Sequence, residues 1–371
     1  MKRFRASFKR NSALINTQNP SRLDKPLLLV TLGLLIFGVV MVANASVVDA
    51  TRFFDDKFYF AKRQLLWAVI GLIGLIACSK INYHFWKKIA QPLLLGTIVL
   101  LILVLIPGFG NKVLGASRWI SLGPISFQPA EFAKFSLIAY FARLFSQKKE
   151  ILPFVLPLIL VLGLVMLEPD MGTAMVIIGV SSIIYFSSGA PIWHFLSVIP
   201  VGMLGLLTVL LSDYRRERLL TFLNPSQDPL GSSYHIRQIL IALGSGGIFG
   251  LGLGQSRQKY LFLPEPATDS IFAIIGEELG FLGGLTVIAA FAFLVWKGFS
   301  IASRTSDPFG KLLAIGITSW IGVQAFVNLS AMVAIVPLTG VPLPFLSYGG
   351  SALVLNLSII GILLSISKSR D

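Results

Sequence analysis

LFLPEPATDSIFAIIGEELGFLGGLTVIAAFAFLVW, residues 261–296, opens as a turn with two prolines and closes as an apolar run of membrane length. A transmembrane helix needs about 20 mostly apolar residues to cross about 30 Å of hydrocarbon. Residues 269–296 exceed that length, with charges only at Asp269, Glu277 and Glu278. Nine further runs share this character, at about 27–47, 64–79, 89–107, 131–147, 151–167, 171–188, 192–211, 312–336 and 350–367. With 371 residues, 55% hydrophobic, 13% charged and a mean hydropathy of +0.80, the chain has a composition that excludes a soluble domain of this size. The expected fold is an all-α integral membrane protein, a polytopic bundle of about ten transmembrane helices. The fourth run, EFAKFSLIAYFARLFS, carries charge at both ends, which favours a helix shielded partly by protein.

Lys and Arg placement orients the bundle. With both termini inside, the cytoplasmic segments hold 18 basic residues and the outer ones 13, six of these in one long loop. About 25 residues precede the first run, so the basic start MKRFRASFKR reads as a cytoplasmic tail and not a cleaved signal. The expected organisation is a tail at 1–25, one membrane unit at 26–367 with a large outer loop at 212–268 between spans seven and eight, and a cytoplasmic end at 368–371. The net charge of +14 then reflects contact with anionic lipid and not nucleic acid. Cys78 is the lone cysteine, so no intrachain disulfide forms.

The acids concentrate on the expected outer face: Glu131, Glu168, Asp170, Asp213, Glu217, Asp228, Glu265 and Asp269. Asp269 stands at the mouth of the eighth span, where it can cap the helix or meet a ligand. Glu277 lies about 12 Å deeper on a straight helix, rotated by about 80°, and Glu278 by about 180°. A charge at mid-membrane costs about 2.5–3.5 kcal/mol on insertion scales, so both glutamates read as interior structural partners. In SFQPAEFAKF, 126–135, Glu131 and Lys134 are neighbours on one helix face, either a local ion pair or a pair at a cavity edge. Upstream, GASRWISLGP sets Arg118 beside Trp119. PLTGVPLPFLSYGGS, 337–351, is irregular backbone that membrane depth tolerates only within protein or along a wet cavity, with Ser347 and Tyr348 as hydrogen-bonding wall residues.

Taken together, GASRWISLGPISFQPAEFAKF, GLGQSRQKYLFLPEPATDSIFAIIGEELGFLGG and PLTGVPLPFLSYGGS resemble the SEDS family (FtsW/RodA/SpoVE) of bacterial cell-wall proteins, over nearly all of 26–367. The central segment is more similar to the FtsW branch, which acts in division, than to the RodA branch of elongation. The chain departs from the family pattern with Ala130 and Ala352 where Ser is usual, Ser117 where Arg is usual, and FVNLSAMVAIVP at 326–337.

The resemblance implies a peptidoglycan glycosyltransferase that polymerises lipid II at the outer face of the cytoplasmic membrane, at the division septum. Its implied partners are a class B penicillin-binding protein and other division proteins. The donor sugar is α-linked to pyrophosphate and the product linkage is β, so the displacement inverts. Pyrophosphate leaves readily, so one general base suffices, helped by cations that stabilise the leaving charge. The resemblance puts Asp269 in the role of base, with Glu131, Lys134, Lys259, Ser347 and Tyr348 along the substrate cavity and Arg118, Arg215, Arg216 and Arg218 toward the pyrophosphates. No ligand cluster in the sequence demands a metal, although a divalent cation, Mg or Mn, could share that role. A lipid II flippase would use the same cavity without a base, and a scaffold for the penicillin-binding protein would need neither.

Overall fold

The computed structural model describes residues 23–113, 116–123, 125–147, 150–191 and 233–368. In chain order these form α1 (Lys25–Ala45), α2 (Val47–Phe54), α3 (Tyr59–Lys80), α4 (His84–Leu105), β1 (Gly110–Val113), β2 (Ala116–Leu122), β3 (Ile125–Phe127), α5 (Pro129–Gln147), α6 (Leu152–Leu167), α7 (Met171–Ser187), α8 (Tyr234–Ser245), α9 (Ile271–Ser303), α10 (Pro308–Met332) and α11 (Gly350–Lys368). Nine of the ten expected spans coincide with helices to within a few residues. The seventh, 192–211, lies outside the described residues, as do Arg215, Arg216 and Arg218. Among the described residues, six helices, α1, α3, α4, α9, α10 and α11, are long and apolar enough to cross a membrane, and α6 and α7 are shorter apolar helices.

The helices sort into an inner and an outer set. α10 and α11 are buried over most of their circumference, whereas α1, α3, α4 and α9 keep exposed apolar stripes such as Leu29 and Ile36, Leu65 and Ile73, and Leu285 and Trp296. A stripe of this kind is a helix face that ends in lipid. α5, the charged run, is buried almost all round and packs on α4, α7 and α10. α3 and α11 approach closely through small residues: Gly361 lies on the Leu75 carbonyl, and Gly350 lies under the Trp67 ring.

One end of the bundle is held by short polar links. Asp24 caps α1 and pairs with Lys297 of α9 at 2.9 Å. Asp307 caps α10 and lies 3.6 Å from His84 Nε2, and the Ser365 hydroxyl donates to the Ile81 carbonyl at 2.7 Å. Each cap satisfies an N–H that the first helical turn leaves without a partner, worth about 1 kcal/mol. The opposite end collects the turns that matter below.

Three features go beyond the sequence expectation. The Gly- and Pro-containing segment between α4 and α5 holds a small antiparallel sheet ordered β1-β2-β3, with Ile120 paired to both Gly110 and Phe127. Its strands have three to seven residues and are flanked by Gly and Pro, too short to show a period of two. Within 212–268, expected as one large outer loop, the structure holds α8. The eighth span is not one straight helix: Gly280, at φ 67 and ψ −166, breaks α9 into 271–279 and 281–303. Only glycine enters that region without strain.

Candidate active site

Proline-rich turns bring Asp269 to the mouth of α9. The helix begins at Ile271 with Ser270 in the N-cap position, so Asp269 is not the cap its sequence position suggested. The Ser270 hydroxyl meets a ring nitrogen of His235 from α8 at 2.8 Å. The Asp269 carbonyl accepts from the Asn328 amide of α10 at 2.8 Å. The same Asn328 nitrogen donates to the Val341 carbonyl at 2.8 Å, and the Tyr348 N–H donates to the Ala267 carbonyl at 2.8 Å. The turn that carries Asp269 is thereby tied to α8, α10 and the 337–349 segment. Its side chain is half-buried and lies beside Gly340.

The rim of this mouth is acidic and basic by turns. Glu265 is exposed and accepts from the Thr268 hydroxyl at 2.8 Å. Burial, and then the Glu265 charge, hold the Asp49 carboxyl of α2 above the usual carboxylate range, while Arg52 pulls it back. Burial also raises the Tyr348 phenol, and Arg63 opposes that by its charge and a hydrogen bond. Phe60 packs edge-on to the Tyr348 ring at 5.1 Å.

Glu131 and Lys134 form a 2.7 Å ion pair at 3% and 2% side-chain exposure. The Lys134 ammonium also donates to Gln324 Oε1 at 2.8 Å and lies 4.8 Å from the Trp320 ring centroid. Gln324 accepts from the Trp320 indole N–H at 2.7 Å and donates to the Pro342 carbonyl at 2.9 Å. Gln324 and Asn328 are thus i and i+4 on one face of α10, and both grip the 341–342 backbone. Through Gln324 the ion pair supports the backbone that runs past Gly340, beside Asp269. Lys134, expected along the substrate cavity or in a local ion pair, forms the ion pair and is enclosed by its partners.

Other expected cavity residues also prove to be braces. Arg118, on β2, donates to the carbonyls of Glu168 and Pro169 in the α6–α7 turn, at 2.9 Å for Glu168. Lys259 is buried and donates to Asn44 Oδ1 at 2.8 Å, the Gly254 carbonyl at 2.7 Å and Glu278 Oε1 at 3.1 Å. Lys259 is enclosed by these acceptors, whereas Arg118 spends two of its five N–H donors on the α6–α7 turn. Ser347 accepts from the Leu343 N–H at 2.8 Å and closes its own turn, while its carbonyl accepts from Gln64 at 3.2 Å.

Glu277 and Glu278 stand at the end of the half-helix 271–279 and bind the 256–259 turn. Glu277 accepts from the Ser256 hydroxyl and the backbone N–H groups of Arg257 and Gln258. Glu278 accepts from the Ser256 N–H, Lys259 and the Asn44 amide. Two buried carboxylates are thus met by one ammonium and five neutral donors, which is how low-dielectric surroundings tolerate them. Glu168 differs: it is fully buried, and neither carboxylate oxygen has a hydrogen-bond partner. Burial, with the nearby Asp170 charge, pushes its carboxyl up to about 8. Asp170 itself caps α7 through Thr173 and accepts from Gln128 at 3.0 Å.

Sequence reading missed Gln324, Asn328, Gln64, Asn44 and Arg63. For Gln324, Asn328 and Asn44 the signal is a lone amide in an apolar run, which seldom sits in a membrane helix without a partner. Among the described residues, no group of three or more His, Cys, Asp or Glu side chains converges as a metal site.

The fold and site define a polytopic helical membrane protein with a carboxylate at the mouth of a broken helix. The family model for cell cycle proteins of the FtsW/RodA/SpoVE type matches residues 25–371, and the chain belongs to that family. Its relatives include the stage V sporulation protein E of Bacillus subtilis, 44% identical over 93% of this chain and 97% of that protein. They also include a probable peptidoglycan glycosyltransferase FtsW of Geobacter metallireducens, 41% identical over 95% and 96%. Among solved structures, a peptidoglycan synthase complex described as coordinating polymerization and crosslinking matches with TM-score 0.77 and 27% identity, over 94% of this chain and 99% of that one. The Rod shape determining protein RodA of Thermus thermophilus matches at 0.69 and 26%, over 94% and 97%.

Proposed function

We propose that this protein is a peptidoglycan glycosyltransferase that polymerises lipid II at the outer face of the cytoplasmic membrane, with Asp269 as its general base. The family membership supports the reaction class. One observation carries the residue assignment. Glu131, Glu168, Asp170, Glu277 and Glu278 are buried and Glu265 is exposed at the outer rim, whereas Asp269 is half-exposed beside Gly340 on a turn tied to three other elements. A base must reach its substrate and be held in place, and that combination is found at Asp269.

In this reading the acceptor's 4-hydroxyl attacks C1 of the donor sugar. Asp269 takes the hydroxyl proton as the new glycosidic bond forms. The bond from C1 to the pyrophosphate oxygen breaks on the opposite side, and the lipid pyrophosphate leaves with the electron pair. Arg63, exposed beside Tyr348, is positioned to meet that charge, and Arg215, Arg216 and Arg218 are further candidates. In this reading the protein acts in division at the septum, with cytoplasmic termini and a class B penicillin-binding protein as partner; the FtsW-named relatives and the likeness to a complex that coordinates polymerization and crosslinking support it.

The test is glycan-chain synthesis from purified lipid II, in detergent with the cognate penicillin-binding protein. Wild type should polymerise, and a folded, partner-bound Asp269→Asn should not. Equal polymer from both would remove Asp269 from the role of base.

A further inference from the structure

The segment before the SRQK turn reads QILIALGSGGIFGLGLGQS, 238–256, without a single charge. Its helical part, α8, has 12 residues, about 18 Å, which cannot cross about 30 Å of hydrocarbon. Beyond α8 the chain turns at 246–254 and exposes Ile248, Phe249, Leu251 and Leu253, with Phe249 79% exposed. In water such an apolar patch would be a liability.

Where this turn lies decides its meaning. The Phe281 N–H donates to the Gly247 carbonyl at 2.9 Å, and the Leu282 N–H to the Ile248 carbonyl at 3.2 Å. The Leu251 and Gly252 N–H groups donate to the carbonyls of Glu277 and Glu278, each at 3.0 Å. The turn therefore satisfies the backbone groups that the Gly280 break frees, and the break satisfies those of the turn. Irregular backbone survives at membrane depth only on that condition. The two strands of chain are also too close for side chains. A Cβ on Gly250 (φ 82) would run into the Glu278 carbonyl, and one on Gly280 into the Gly250 N–H.

Depth follows from α9. From Gly280 to Lys297 are 17 residues, about 26 Å along the axis at 1.5 Å each. If the Lys297–Asp24 pair marks one boundary of a 30 Å core, the break lies roughly 4 Å inside the other. Phe281 and Leu282, exposed just past the break, begin the lipid-facing stripe that continues through Leu285, Ile288 and Trp296.

We infer that 246–254 is a re-entrant turn seated in the upper acyl region of the leaflet on the Asp269 side, with lipid chains as its partner. The patch is continuous with a lipid-facing stripe, and it offers no charge or polar side chain between Ile248 and Leu253 to a protein partner. The segment expected as water-exposed loop is in part a membrane anchor for the turn that Glu277 and Glu278 hold. The inference does not depend on the proposed reaction.

The test uses spin labels on single cysteines in a Cys78→Ser background, with the full chain alone in lipid nanodiscs. Labels go on Phe249→Cys and, independently, Leu253→Cys. Phe281→Cys serves as the lipid reference and Lys57→Cys as the water reference. Collision with oxygen and with a water-soluble nickel chelate is measured at each. Phe249 and Leu253 labels should match Phe281, with an oxygen-to-nickel ratio several-fold above that at Lys57. A ratio equal to that of Lys57 would place the turn in water and overturn the inference. Protection from both reagents would place it under protein and overturn it equally.

Discussion

Lys134→Met removes an ammonium with three partners and leaves its neighbours in place. The side chain is 2% exposed, bonded to Glu131 at 2.7 Å and Gln324 at 2.8 Å, and seated over Trp320. Methionine keeps the length and apolar stem but not the charge. Glu131 Oε2 already has no hydrogen-bond partner, so loss of Lys134 leaves that carboxylate buried with no countercharge among the partners seen here. Breaking a buried pair in this way costs about 3–5 kcal/mol, against 0–1 kcal/mol for an exposed pair. Unfolding of the purified protein in mixed micelles, followed by far-UV circular dichroism as the SDS fraction rises, should show that loss. Adding Glu131→Leu removes the stranded charge, and the double variant should return to within about 1 kcal/mol of wild type. If Lys134→Met alone costs 1 kcal/mol or less, the pair is not the enclosed brace described here, and a place for Lys134 at the cavity edge is favoured instead.

Four further outcomes follow from other contacts. Glu168, whose folded-state carboxyl is raised from 4.5 to about 8, binds its proton more tightly folded than unfolded. Stability from this group is present below pH 4.5 and is lost as pH rises through about 8, so Glu168→Gln should flatten that fall in unfolding measured from pH 5 to 9. Gly280→Ala places a Cβ against Gly250 and Ile248 at a positive φ and should abolish recovery of folded protein by size-exclusion chromatography. Gly33→Ala, where nothing lies within 4 Å of the added Cβ, should be neutral or stabilise by up to about 1 kcal/mol. Asn328→Leu frees the Asp269 carbonyl and should lower kcat for polymer synthesis about tenfold or more with KM little changed. A loss confined to KM would place Asn328 in substrate binding instead.

The membrane class and nearly all of the helix positions were legible in the sequence. A run of about 20 apolar residues has one low-energy solution in hydrocarbon, and that solution is local. The importance of the 261–280 and 337–351 segments was legible too, because Pro, Gly and acids are costly at that depth unless the fold employs them. The break at Gly280 was not legible. A glycine in an apolar run fits a helix as well as a kink, and the choice was made by the 246–252 backbone, which comes from elsewhere in the chain. The roles of the charged residues were equally undecided. Arg118, Lys134 and Lys259 look alike in sequence to a free cation at a cavity wall, and only the acceptors around them show that they are braces. Periodicity and composition act over a few residues along one helix. The Glu131–Lys134 pair is local, but whether Glu277, Glu278 or Asp269 is engaged or left facing a mouth depends on groups from distant elements, such as Asn44 and Asn328, and those meet only when the helices pack.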